Sequence, residues 1–266
     1  MKIDTHAHVF SHDCALAPDR RYDPDGEAPV DTYLRLLDAH GIDFGVIVQP
    51  SFLGTDNDYL VSALVHAAGR LRGIAVVDPS IGDGELDTLA EAGVVGIRLN
   101  LVPPCRPVDI SDPHWRRLLR RIAGRGWMVE IQADGKDLGT VIGGVKDSGA
   151  PMVIDHFGRM AATESPIAGE LRAALAMLRD GLPWVKLSAP YRFSADARHI
   201  AEVLLAEVGP ERLLWGSDWP WTQNAAGMTY AKSLNWLEKW IPDECARRII
   251  LADTPARLFG FPGPGC

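Results

Sequence analysis

The sequence predicts a closed (β/α)8 barrel of the TIM type. Three observations lead there. Eight short apolar runs alternate with eight amphipathic stretches, the repeat is about 33 residues long, and no glycine fingerprint for phosphate follows the first run. Strict alternation demands a parallel sheet, because each strand must return through a crossover to start at the same end as its neighbour. Eight units within 266 residues, with no Pro/Ser-rich linker, are read as one domain spanning 1–266.

The first strand is expected over residues 2–5, with a helix over 30–40 ended by Gly41. The second strand, 43–48, leads to a helix over 57–68, and the third, 72–77, to one over 84–92 that stops at Gly93. Strand four (94–100) precedes a helix over 114–125, and strand five (127–132) one over 138–148; Gly126 and Gly149 follow them. Strand six (152–155) feeds a helix over 166–180 and Gly181. Strand seven (184–187) feeds one over 195–208 and Gly209, and strand eight (212–216) one over 228–240. Several strands are rich in Val and Ile, and most are short enough to be buried on both faces. A glycine just past a helix supplies the left-handed C-cap. The tail Gly-Phe-Pro-Gly-Pro-Gly-Cys reads as a loose end.

Composition narrows the function. With 47% hydrophobic and 23% charged residues the chain is globular, and its net charge of −8 disfavours nucleic acid as a partner. No run approaches the ~20 apolar residues of a membrane span. The start, Met-Lys-Ile-Asp-Thr-His-Ala-His, lacks the apolar core of a signal peptide. Cys14, Cys105, Cys245 and Cys266 are irregularly spaced with no CxxC, so a reducing cytoplasm is expected.

In such a barrel, chemistry sits at the carboxyl ends of the strands. Those ends carry His6 and His8, then Gln49 and Ser51, Asp78, Arg98 and Asn100. Glu130 and Gln132, His156 and Arg159, Lys186 and Ser188 with Arg192, and Asp218 complete the circuit. Gln49, Ser51, Asp78 and Ser188 are read as ordinary polar strand ends. Strand alternation sends His6 and His8 into the barrel together, with Asp4 one layer deeper and Ile3, Thr5 and Ala7 toward the helices. Two imidazoles on one face clamp a divalent metal or hold a substrate oxygen. His12 and Cys14 are read as structural. Asp218, just past an apolar strand and before Trp-Pro, suits a general base on water; a helix N-cap is the alternative. His156 would polarise a carbonyl or orient that water, unless it is a core histidine satisfied by the backbone. Asp155 is expected to point away. Arg98, Arg159 and Arg192 would grip carboxylates with their forked donors; salt bridges to Asp78 or Glu130 are the alternative. The reading is a substrate carrying carboxylate groups.

Longer motifs add a likeness. They are DTHAHVF (4–10), VIVQPSFLGTDNDYL (46–60), LRGIAVVD (71–78), GIRLNL (96–101), VIDHFGR (153–159), WVKLSAPYR (184–192), RLLWGSDWP (212–220) and TPARLFGF (254–261). With them the chain resembles, nearly end to end, the amidohydrolase-related family of barrel hydrolases, and within it the lactonase group. The resemblance implies hydrolysis of a cyclic ester, a small anionic lactone, in aromatic-compound or sugar-acid breakdown. It implies Asp218 as base, His6, His8 and His156 as barrel histidines, Arg98, Arg159 and Arg192 as carboxylate grips, and Tyr22 as a loop tyrosine lining the site. Two departures stand out: Gln132 where metal-using relatives often place a strand-five histidine, and Pro103-Pro104 where a further arginine is expected, with Arg106 displaced. The cofactor expectation is therefore none required, or one divalent metal, zinc by preference, held by His6, His8 and Asp218. A monomer or small homo-oligomer is expected. The rival readings are a zinc-dependent decarboxylase or amide hydrolase, and a non-catalytic carboxylate-binding protein.

Overall fold

The computed structural model describes residues 1–103, 108–159 and 183–263, with residue 176 between the last two. Eight strands run in sequence order around one sheet: β1 (Ile3–Ala7), β2 (Phe44–Val48), β3 (Leu71–Ala75), β4 (Val94–Asn100), β5 (Met128–Gln132), β6 (Met152–Ile154), β7 (Pro183–Leu187) and β8 (Leu213–Trp215). Each pairs in parallel with the next. Between them lie the helices Val30–Ala39, Asp58–His66, Asp83–Ala92, Pro113–Gly124, Gly135–Lys146 and Ala197–Val208, with Tyr230–Trp240 after β8. The barrel fold expected from the alternation is therefore the fold observed. Apart from residue 176, the helix expected over 166–180 lies outside the described residues, as do Pro104, Cys105, Arg106, Gly181 and Cys266.

β8 is shorter than expected because the chain from Gly216 onward closes the seam to β1. Asp218 N donates to His6 O at 2.8 Å and His8 N to Trp219 O at 2.7 Å, a parallel bridge that continues the sheet. Gly216 lies against β1 so closely that a Cβ there would stand 2.5 Å from His6 Cβ and 3.0 Å from His6 N. Gly216→Ala is therefore expected to cost about 1–3 kcal/mol, the usual range for overpacking. A urea midpoint equal to that of the parent would show that the seam gives way without strain.

Two apolar clusters separate inside from outside. Ile3, Val46, Val48, Ile74, Met128, Val153 and Leu214 come from six strands and meet within the barrel. Val129, Ile131, Val185 and Leu187 alternate with interior positions and pack outward with helix residues such as Leu118, Ile142, Ile200 and Leu204. The helix Thr254–Phe259 closes the amino-terminal end of the barrel, placing Phe259 and Phe261 in the inner cluster. Phe261 is 6% exposed, so the start of the tail is packed, not loose.

Asp4 corrects the expected alternation. The β1–β2 register shifts between Asp4 and Ala7, where three residues of β1 span two of β2. The shift reverses the phase, so Ile3 and His6 both point inward. Asp4 faces the helix layer, accepting from Tyr230 Oη at 2.8 Å, Ser217 N at 2.9 Å and His6 N at 3.1 Å.

Candidate active site

His6 and His8 leave the carboxyl end of β1, His156 follows β6, and Asp218 follows β8. All four side chains are buried. His156 and Asp218 hold left-handed backbone, at φ 51° and 57°, as do Phe157 and Arg159. Such residues cost of order 1–3 kcal/mol each and persist where the surroundings fix them, often at functional sites. Here the turn swings each side chain over the barrel mouth.

The four groups converge on one point. Asp218 Oδ1 is 3.7 Å from His6 Nε2, 3.8 Å from His8 Nε2 and 3.8 Å from His156 Nε2. These separations are too long for hydrogen bonds, and neither Asp218 Oδ1 nor His6 Nε2 has a partner. His8 Nδ1 donates to the Val48 carbonyl at 2.7 Å, so in the neutral ring Nε2 presents its lone pair to the same point. An imidazole lone pair and a carboxylate oxygen facing each other need a cation or a donor between them. Three imidazoles and a carboxylate form a zinc-type donor set. Among the described residues His6, His156 and Asp218 offer ligand atoms that all lie within 4.8 Å of one another, whereas His8 approaches Asp218 Oδ1 but lies outside that set. The residues therefore fit a divalent ion; a water held for attack uses the same atoms.

Each group is held from behind. Asp218 Oδ2 accepts from Tyr191 Oη at 2.6 Å and from Arg192 Nε and Nη2 at 2.8 and 2.7 Å. His156 Nδ1 and Ser188 Oγ are hydrogen-bonded at 2.9 Å. Behind His6 lies a buried charge cluster: Nδ1 is 3.1 Å from Lys186 Nζ, 3.2 Å from Asp155 Oδ1 and 3.3 Å from Glu130 Oε1. Lys186 is bonded to Glu130, and Arg98 donates to Asp155 Oδ2 through Nε at 3.2 Å and Nη2 at 3.0 Å.

These neighbours set the charges. Burial alone would raise the Asp218 carboxyl, but the Arg192 guanidinium, then the imidazoles, outweighs it and holds it well below the usual carboxylate range. Asp155 is likewise held far down against burial, by His6, Lys186 and Arg98. Burial, with the charges of His6 and Arg98, pushes His8 well below 6.5. Burial also depresses His156, against the pull of Asp218. His6 is the exception: burial, its largest influence, lowers it, but the charge of Asp155 and the hydrogen bonds to Asp155 and Glu130 together outweigh burial and Lys186, so it rises. A depressed histidine stabilises the fold above its unfolded value of about 6.5 and loses that contribution as pH falls, because only the unfolded chain takes the proton. His6 has the opposite sign. Asp4, raised by burial, shares the sign of His6, but the shifts of His8 and His156 are the larger, so a lower unfolding temperature is expected at pH 5 than at pH 7 by calorimetry; a higher one would contradict the assignment.

The amidohydrolase family model matches residues 3–261. The chain belongs to the amidohydrolase family. It is 31% identical to a 2-pyrone-4,6-dicarboxylate hydrolase of Comamonas testosteroni, over 97% of this chain and 89% of that one. It is 28% identical to a 4-sulfomuconolactone hydrolase of Hydrogenophaga intermedia, over 97% and 88%. A crystal structure from Acinetobacter baumannii, assigned as a probable 2-pyrone-4,6-dicarboxylic acid hydrolase with citric acid bound, superposes with a TM-score of 0.92. Its identity is 35%, and the match covers 98% of this chain and 99% of that one.

In this amidohydrolase the mouth above His8 and His156 is lined also by Tyr22, Arg98, Arg192 and Gln132. Tyr22 Oη and Thr222 Oγ1 are bonded at 2.8 Å, tying the loop after β1 to the loop after β8. Arg98 and Arg192 thus reach the site while paired to Asp155 and Asp218. Arg159 pairs with Asp134 at 3.0 Å, beside the start of the helix Gly135–Lys146. Asp155 is a correction: it points inward because it keeps the phase of Val153, and the left-handed turn beginning at His156 brings His156 to the mouth as well instead of to the opposite face. Sequence reasoning missed Tyr191 and Arg21, the latter also at the mouth. It also left Glu130 and Lys186 without a role. Those two were findable: each is a charge between apolar residues at period two, Val129-Glu130-Ile131 and Val185-Lys186-Leu187.

Proposed function

We propose that this amidohydrolase opens a small carboxylated lactone by hydrolysis, in the manner of a 2-pyrone-4,6-dicarboxylate hydrolase. The convergence of three imidazole Nε2 atoms on the unpartnered Asp218 Oδ1 carries the reading. Water attacks the lactone carbonyl while Asp218 Oδ1 accepts its proton. His6, whose pKa is raised, and His156 hold the carbonyl oxygen as charge develops on it, while the His8 Nε2 lone pair accepts from the attacking water and orients it. The ring C–O bond then breaks, and the released oxygen recovers a proton to leave an enol or hydroxy acid beside the new carboxylate. Arg98, Arg159, Arg192 and Tyr22 position the substrate's existing carboxylate. Tyr191, kept protonated by burial and by Asp218, holds the base in place.

A divalent ion, zinc by the donor set, would be held by His6, His156 and Asp218, whose ligand atoms lie closest together, with the expected His8 completing the shell. When bound it supplies a more acidic water and a polarised carbonyl. That chemistry suits a base as weak as Asp218, whose depressed pKa makes it a poor acceptor from ordinary water. Among the described residues no helix is long and apolar enough to cross a membrane, and the cysteines described, Cys14 and Cys245, are free. The enzyme is read as cytoplasmic, a monomer or small homo-oligomer.

The test is a panel of carboxylated, sugar and uncharged lactones, with elemental analysis of the same preparation. Carboxylated lactones are expected to open fastest, and not more than one divalent ion per chain is expected. A preparation that opens none of them, or decarboxylates an aromatic acid instead, would overturn the reading.

A further inference from the structure

A second hollow, of about 660 Å³, lies beside the mouth of the site above the ends of β2, β3 and β4. Arg21, Ser51, Arg98 and Asn100 border both spaces, so the two are immediate neighbours that share a rim of polar side chains. Beyond that junction Leu16, Leu53, Val76, Val77, Val108 and Trp115 supply an apolar part of the wall, with charged side chains along its margin.

Those walls are tied together by the backbone. Ala17 N donates to Phe52 O at 2.8 Å, holding the loop after β1 on the loop after β2. Asn57 fastens the loop after β2 to the end of β3, donating to Val76 O at 2.9 Å and accepting from Val76 N at 3.2 Å. The charges at the margin are mostly negative: the carboxylates of Asp19, Asp56 and Asp78, and Arg20, which is paired with Asp23. A second anionic group is repelled there, whereas the arginines draw one toward the junction. Pockets of about 300–1,000 Å³ take ligands of drug size, well beyond a single lactone ring.

We infer that this hollow receives an uncharged apolar arm of the substrate, which makes the substrate class an anionic lactone bearing a hydrocarbon or aryl substituent. The inference rests on the lactonase reading and adds what the rest of the substrate is.

The experiment compares a carboxylated δ-lactone with its n-butyl or phenyl derivative. Each buried methylene is worth about fourfold in kcat/KM (~0.8 kcal/mol), so the arm is expected to raise kcat/KM at least about tenfold. Val76→Trp fills the hollow and should bring the ratio of the two substrates toward one. Thr55→Trp, at the exposed edge, reads the same ratio if the first variant does not fold. A parent lactone opened with no gain from the arm, or a ratio unmoved by both variants, overturns the inference and leaves the lactonase reading standing. If neither lactone is opened, the lactonase reading fails. Calorimetry with phenyl-substituted and unsubstituted cyclohexanecarboxylate then decides the hollow alone: equal affinity for the two overturns it.

Discussion

Asp218→Asn is expected to lower kcat for lactone opening by at least about 10²-fold and as much as 10⁴-fold, the usual worth of one general base. The amide keeps the shape of the carboxylate. It cannot take a proton at Oδ1, the atom facing His6, His8 and His156 at 3.7–3.8 Å. It also leaves the Arg192 guanidinium, 7% exposed, without its anionic partner. A lower unfolding temperature is therefore expected as well. Steady-state kinetics on a folded variant, checked by circular dichroism, separates the two effects. A variant that turns over like the parent removes Asp218 from the mechanism.

Lys186→Met is expected to cost about 3–5 kcal/mol of stability, because it strands buried carboxylates. Lys186 Nζ bonds Glu130, lies 3.5 Å from Asp155 and touches His6 Nδ1 at 3.1 Å, and all four side chains are fully buried. Arg98 remains near both acids, at 3.0 Å from Asp155 and 3.9 Å from Glu130, but its charge cannot balance two. Adding Glu130→Gln removes one of the stranded charges, so the double variant should recover much of the loss. Urea unfolding measures both. A single variant within 1 kcal/mol of the parent would show that the cluster is neutralised in some other way.

The barrel was legible because each strand is a short apolar run and each helix an amphipathic one, a pattern fixed by burial on two faces or on one. The histidines and Asp218 were legible for a related reason: polar groups just past apolar strands have few other uses. What escaped depended on backbone irregularity. Asp4 and Asp155 were both misplaced by strict alternation, the first through the register shift in β1, the second through the left-handed turn after β6. The pairing of Arg192 with Asp218 joins residues 26 apart through loop geometry, which no periodicity encodes. Arg98, Glu130 and Lys186 were recognised as rim residues; their mutual neutralisation beneath His6 required the barrel's curvature.

The segment that seals the amino-terminal end of the barrel carries Phe259 and Phe261, which pack with Ile3 from the opposite extreme of the chain. On the ribosome, the stretch from β1 to Trp219 must emerge before β1 finds the neighbour that completes the ring, and the stretch to Phe261 before it finds the stopper beneath it. Nascent chains should therefore stay protease-sensitive until late, and deletion of a few terminal aromatics should hinder maturation more than their number suggests.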